Sequence, residues 1–136
     1  MTQTARTIAH TEYSLGWGGQ EIRIFTEMQA LRARGHRLLL CAPARSRIYQ
    51  QAQTDGFPVL EVFDRRNQLP RSVWRMATWF RRERVAVVNM HSSGDGWAGG
   101  LAARLASVPL ILRSRHIEVD YPNPRLSRIA FHHLPH

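Results

Sequence analysis

Strand-like and helical stretches alternate along this chain, and that alternation limits its fold more than any other feature. Apolar runs at Ile8-Ala9 (flanked by Thr7 and Thr11), Leu38–Cys41, Val59–Phe63, Val85–Met90 and Leu110–Leu112 have the length of strands. Their near-continuous apolar character fits strands covered on both faces, as in a parallel sheet. Helical patterns run between them. Ile24, Phe25, Met28 and Leu31 share one face of a helix over Gln20–Arg34, which Gly35 stops. A polar helix covers Ser46–Thr54 with Asp55-Gly56 as its exit, and Leu69, Val73, Met76, Ala77 and Phe80 line a third. Trp97, Ala98, Leu101, Ala102 and Leu105 line a fourth that starts near Asp95. Parallel neighbours need crossovers, and crossovers within a sheet are right-handed. The pattern therefore predicts an α/β fold, an open, doubly wound parallel sheet of Rossmann-like type. Residues 1–136 amount to one domain, with a further helix expected over Leu126–Leu134.

Composition excludes several classes. With 43% apolar and 21% charged residues, wholesale disorder is not expected. A lone cysteine, Cys41, excludes an internal disulfide framework, and its strand-like setting predicts a buried thiol. No apolar run approaches the ~18 residues of a membrane span, and no apolar signal-peptide core follows the N-terminus, so a cytoplasmic setting is expected. The net charge of +9 rests on 19 arginines and no lysine. Such a domain is drawn to polyanions, whether phosphorylated ligands or anionic membrane.

Ligands in doubly wound sheets bind beyond the carboxyl ends of the strands, near the point where strand order reverses. Three polar clusters fall on that edge. The first run is followed by Gly16, Gly18 and Gly19, the fourth by His91-Ser92-Ser93-Gly94-Asp95, and the fifth by Arg113-Ser114-Arg115-His116. Strand, glycine turn and helix start is the geometry that brings backbone N–H groups to a phosphate; it also serves simply to tighten a connection. A dinucleotide fingerprint is a poor match. Gly16 and Gly18 fit G-x-G-x-x-G, but Glu21 holds the third glycine's place and Cys41-Ala42-Pro43 offers no acid after the second strand.

A better match is carried by Gly18-Gly19-Gln20-Glu21, then Leu31, Arg34-Gly35-His36 and the strand Leu38-Leu39-Leu40. This resembles the start of family 4 glycosyltransferases, in which a GG-x-E turn and helix lead to an L-x-x-R-G-H segment; the likeness runs from Thr7 to about Phe131. It implies a GT-B architecture, with two Rossmann-like domains facing one cleft. The N-terminal domain mainly holds a glycan or lipid-linked acceptor, and the C-terminal domain holds most of a nucleotide-sugar donor. Transfer with retention and without a metal or other cofactor is implied. Gly18 and Gly19 would approach the donor diphosphate, His116 the reacting centre, and His91 and Asp95 the acceptor. The family's C-terminal domain has no counterpart in this sequence, so the expectation is a truncated member or a fragment, inactive without the donor domain, which a separate chain would supply in the case of a natural truncation.

Each assignment has a plainer counterpart. Strand-end His91 and His116 also serve as backbone partners, Asp95 as a helix cap, and Glu21 as a charge stabilising its helix. His132, His133 and His136 lack an acid or cysteine at ligand spacing, and no metal site is expected there. A second reading comes from the third helix. Arg71, Arg75 and Arg82 share the face opposite its core stripe, with Trp74 and Trp79 beside them, a composition suited to an anionic membrane surface. That reading makes the chain a non-catalytic module binding anionic ligands or membrane, peripheral at the inner face. Nucleic acid is not an expected partner, because no recognition motif is present and the basic residues are dispersed.

Overall fold

The computed structural model describes residues 4–63, 69–91 and 93–114. Strands β1 (Thr7–Thr11), β2 (Arg37–Ala42), β3 (Val59–Glu61), β4 (Val87–Met90) and β5 (Leu110–Arg113) alternate with helices α1 (Gly19–Ala33), α2 (Arg47–Thr54), α3 (Leu69–Arg82) and α4 (Ser93–Leu105). The strands form one sheet in the order β3-β2-β1-β4-β5, and every pairing is parallel. The order reverses between β1 and β4, where Thr11 lies opposite Met90. The doubly wound, Rossmann-like sheet read from the alternation is thus the one formed.

Alternation along each strand sends neighbouring residues to opposite layers. Ala9, Leu39, Cys41, Val88, Met90 and Ile111 pack with Met76, Phe80 and Ala102 of α3 and α4. Leu38, Leu40 and Ala42 pack with Ile24, Phe25 and Met28 of α1 and with Ile48 and Ala52 of α2. Cys41 is fully buried, as expected of a structural thiol. Local chemistry ends the helices where the sequence marks it. Gly35 (φ +92°) and Gly56 (φ +83°) take the left-handed backbone that a side chain disfavours. Ser46 caps α2, its Oγ accepting the Tyr49 N–H at 3.3 Å.

Two helices turn differently from their apolar periodicity. On α4 the inward stripe is Ala98, Ala102 and Ala103, while Leu101 and Leu105 stand 43% and 53% exposed. The small stripe lets the helix approach the sheet: a Cβ on Gly99 would lie 3.2 Å from both Met90 Cγ and Thr11 Oγ1. On α3, Leu69 is exposed, and Ser72 faces inward, its Oγ accepting the Phe63 N–H at 3.1 Å. Trp79, expected among the surface arginines, is 6% exposed and belongs to the core beside Met76 and Phe80. Burying that indole contributes about 2–3 kcal/mol by area, more than a wet cationic face would gain from it. The expected helix over Leu126–Leu134 lies outside the described residues.

Candidate functional site

At the carboxyl end of β1 the chain passes through a buried acid before reaching the glycine turn. The Glu12 N–H extends the ladder to the Cys41 carbonyl at 3.0 Å, and its side chain is fully buried. Oε1 accepts the N–H groups of Tyr13 (2.8 Å) and Ser14 (3.0 Å), and Oε2 accepts from Gln20 Nε2. A buried carboxylate is tolerable only when its acceptor capacity is used, as here. The same bonds tie the loop at both ends, to β1 and to the first turn of α1. Trp17 supports the loop from the side, edge-on to Phe25 at 6.2 Å and beneath the Arg47 guanidinium at 5.8 Å.

Gly18 is the N-cap of α1, with extended backbone (φ −120°, ψ −162°). Glu21 Oε2 accepts the Gly18 N–H at 2.8 Å, so this acid closes the helix start from within the chain. No side chain caps the N–H groups of the first turn. Nor is glycine needed here for its conformational freedom. Among the described residues only Gly35 and Gly56 are glycines with positive φ. A Cβ at Gly18 would come no nearer than 3.6 Å to Glu21 Oε2, and one at Gly19 would meet nothing within 4 Å. What bare backbone provides at Gly19 is access: N–H groups at the positive end of a helix, open to a group arriving from outside.

Next to this turn, across the strand-order reversal, β1 and the residue directly after β4 each contribute a histidine. His10 is fully buried and His91 is 5% exposed. His10 Nδ1 and His91 Nε2 are 2.7 Å apart, with ring planes 12° from parallel and centroids 5.0 Å apart. That centroid separation is the N···N distance plus one ring radius on each side, so the rings lie edge to edge in nearly one plane. The proton between them points along the acceptor's lone pair. Burial pushes His10 down to about pKa 4, so it is neutral at pH 7. Its Nε2 has no hydrogen-bond partner among the described residues. On the neighbouring strand the Ser114 hydroxyl donates to Asn89 Oδ1 at 2.9 Å, while the Ser114 N–H bonds the Met90 carbonyl.

Of the residues singled out in the sequence, Gly18, Gly19 and His91 sit on this one edge, as the strand-end rule requires. Asp95 is the third residue of α4, directly after β4, and its side chain lies outside the described residues, as do Arg115 and His116. His10 and Glu12 were not singled out. A histidine within Thr-Ile-Ala-His-Thr carries no local signal, because its partner is 81 positions away. Glu12 leaves a weak trace as an acid abutting an apolar run. Among the described residues no group of three His, Cys, Asp or Glu side chains could hold a metal.

The basic face of α3 lies in the layer away from the glycine turn. Leu60, Trp74, Arg75, Thr78, Trp79 and Arg82 line an open groove of about 220 Å³. Trp74 is 69% exposed, and Arg71 and Arg82 are exposed as expected. Arg75 is half-buried, its Nη1 donating to the Glu61 carbonyl at 2.5 Å. The exposed cationic surface is therefore carried by Arg71 and by Arg82, whose Nε also lies 3.7 Å from Glu83 Oε1, with Trp74 between them.

A doubly wound domain with an open glycine turn at its switch point is the class that fold and site define. The model of glycosyltransferase family 4 matches residues 17–134, and the chain belongs to that family. No curated protein matches it in sequence. Solved structures similar to it include a glycosyltransferase from Rickettsia africae (17% identity, TM-score 0.71, 89% of this chain and 32% of that one). MurG of Acinetobacter baumannii is 15% identical with TM-score 0.72, over 93% of this chain and 39% of that one. HepE of Anabaena, solved in complex with UDP-glucose, is 15% identical with TM-score 0.67, over 91% of this chain and 33% of that one. At these identities the likeness concerns the fold, the N-terminal half of a GT-B architecture, and the chain spans about a third of each.

Proposed function

We propose that this chain is the acceptor-side domain of a retaining glycosyltransferase, which moves a sugar from a nucleotide-sugar to a glycan or lipid-linked acceptor at the cytoplasmic face of a cell envelope. One observation carries the proposal: the glycine turn at the head of α1, which neither backbone φ nor local crowding demands, leaves first-turn N–H groups open beside the strand-order reversal. In transfer, the acceptor hydroxyl oxygen bonds to the anomeric carbon as the bond to the diphosphate oxygen breaks, and the hydroxyl proton leaves on the departing diphosphate. Charge grows on that diphosphate, and the N–H groups of Gly19 and the rest of the first turn stabilise it without reorganising, while Gly18, whose own N–H is held by Glu21, lets the backbone approach. His91 and Asp95 line the acceptor side and His116 lies at the reacting centre; no metal is required. The UDP and UDP-glucose held by HepE support a nucleotide-sugar donor. The remaining donor contacts come from a second domain, in the same polypeptide or a separate chain. In a protein carrying both halves, His116→Ala should slow transfer about a hundredfold with an unchanged melting temperature. A rate within twofold of wild type would remove His116 from the mechanism.

A second reading has its own observation, the exposed Trp74 between Arg71 and Arg82, which suits docking on an anionic membrane. The two are compatible, since an enzyme with a lipid-linked acceptor works at that surface.

A further inference from the structure

The pair formed by His10 and His91 bears directly on what His91 can do, on the proposed reading of this edge as the acceptor side. A 2.7 Å contact between two imidazole nitrogens holds one proton, and two neutral arrangements are available. In the first, His10 carries its proton on Nδ1 and donates to His91 Nε2; the buried His10 Nε2 is then a bare lone pair. In the second, His91 donates from Nε2, and His10 must carry its own proton on Nε2, where no acceptor exists among the described residues. Doubly protonated His10 is disfavoured by its complete burial. An unmatched buried N–H is rarer in folded proteins than an unmatched acceptor, so the first arrangement is the better one.

We infer that His10 is a positioning residue for His91: its Nδ1–H donates to His91 Nε2 and so places the proton of His91 on Nδ1, which bars His91 Nε2 from serving as the base that takes the acceptor's proton. The near-coplanar rings give this bond the alignment it needs, and the rigid, directly paired strands that carry them (His10 lies opposite Asn89, two residues before His91) hold the distance. Free neutral histidine side chains favour the opposite tautomer, with the proton on Nε2, so the pairing reverses an intrinsic preference. Such a reversal can be measured apart from any activity.

The test is long-range ¹H–¹⁵N correlation NMR of the 136-residue chain at pH 7, with His91 signals assigned through their loss in His91→Gln. In the wild type His91 should show a protonated-type Nδ1 and a lone-pair-type Nε2. His10→Ala should return His91 to the Nε2–H form. His10→Asn, whose amide nitrogen can take the place of Nδ1, should restore Nδ1–H. A general structural loss would lower the melting point of both variants without separating them in this way. A protonated Nε2 on wild-type His91 overturns the inference, and so does an unchanged His91 tautomer in His10→Ala. If His10→Ala fails to fold, the wild-type and His10→Asn spectra decide. In a protein carrying both halves, His10→Ala should lower transfer at least tenfold and His10→Asn should recover most of it. If the tautomer is as described but His91→Ala leaves transfer unchanged, the positioning of His91 stands and the acceptor-side reading fails.

Discussion

His10 gives the domain a pH dependence whose sign follows from burial. In the unfolded chain this imidazole takes a proton as pH falls below its ordinary value of 6.5; in the native state it does so only near 4. Between those values the unfolded state binds more protons, so stability falls as pH falls through that window and is level above about pH 7. Urea unfolding should show His10 contributing a loss of about 2 kcal/mol between pH 7.5 and pH 5, a slope absent from His10→Asn. Equal slopes in the two proteins would mean that other groups set the dependence. Glu12 is the second residue of consequence. Glu12→Ala leaves the Tyr13 and Ser14 N–H groups and the Gln20 amide without their acceptor, and should cost about 2–4 kcal/mol in urea unfolding. Glu12→Gln keeps an oxygen for the two backbone donors and lets the Gln20 amide turn over, so its cost should be under half as much. Neither residue was legible in the sequence, for a common reason. Both are defined by partners brought together through folding, whereas Gly18, Gly19 and His91 announce themselves by position after a strand.

At the scale of elements, strands and helices were legible nearly to their ends, because period and stop signals agree. Gly35 ends α1 and Asp55-Gly56 ends α2 where expected. What periodicity does not specify is which of two adjoining stripes on a helix faces the sheet. Leu101 and Leu105 make the more apolar stripe on α4, yet the alanine stripe beside it wins by permitting contact at Gly99. Packing density, not side-chain hydrophobicity alone, chose the face. The consequence can be checked in melting experiments. Gly99→Val pushes two methyls toward Met90 and Thr11, and should destabilise by about 2 kcal/mol or more despite removing a helical glycine. Leu101→Gln should stay within about 0.5 kcal/mol of wild type. Equal losses from the two would mean that α4 presents its leucines to the core after all.

The whole molecule divides its business between two layers, with the glycine turn and the histidine pair at one edge of the sheet and the basic face on the α3 side. The parallel, doubly wound sheet and the edge on which the polar clusters fall were predictable from connection rules. The makeup of the basic face was not, since composition pairs arginine with tryptophan but burial removes Trp79 and the Glu61 carbonyl engages Arg75. Arg71, Arg82 and Trp74 remain, and they set the expected result of a vesicle test. A basic side chain near an anionic surface contributes about 1 kcal/mol, so the double change Arg71→Gln and Arg82→Gln should weaken partitioning onto phosphatidylserine vesicles about thirtyfold at low salt. The difference should shrink as salt shortens the Debye length to about 8 Å. Arg75→Gln belongs to a different class: it should cost stability through the lost carbonyl contact and change partitioning little. Trp74→Ala should weaken binding at every salt concentration, because its contribution is interfacial rather than electrostatic. Were the double variant to bind as the wild type does, with the net charge of +9 nearly intact, attraction would be a property of the whole surface and this face would lose its claim to docking.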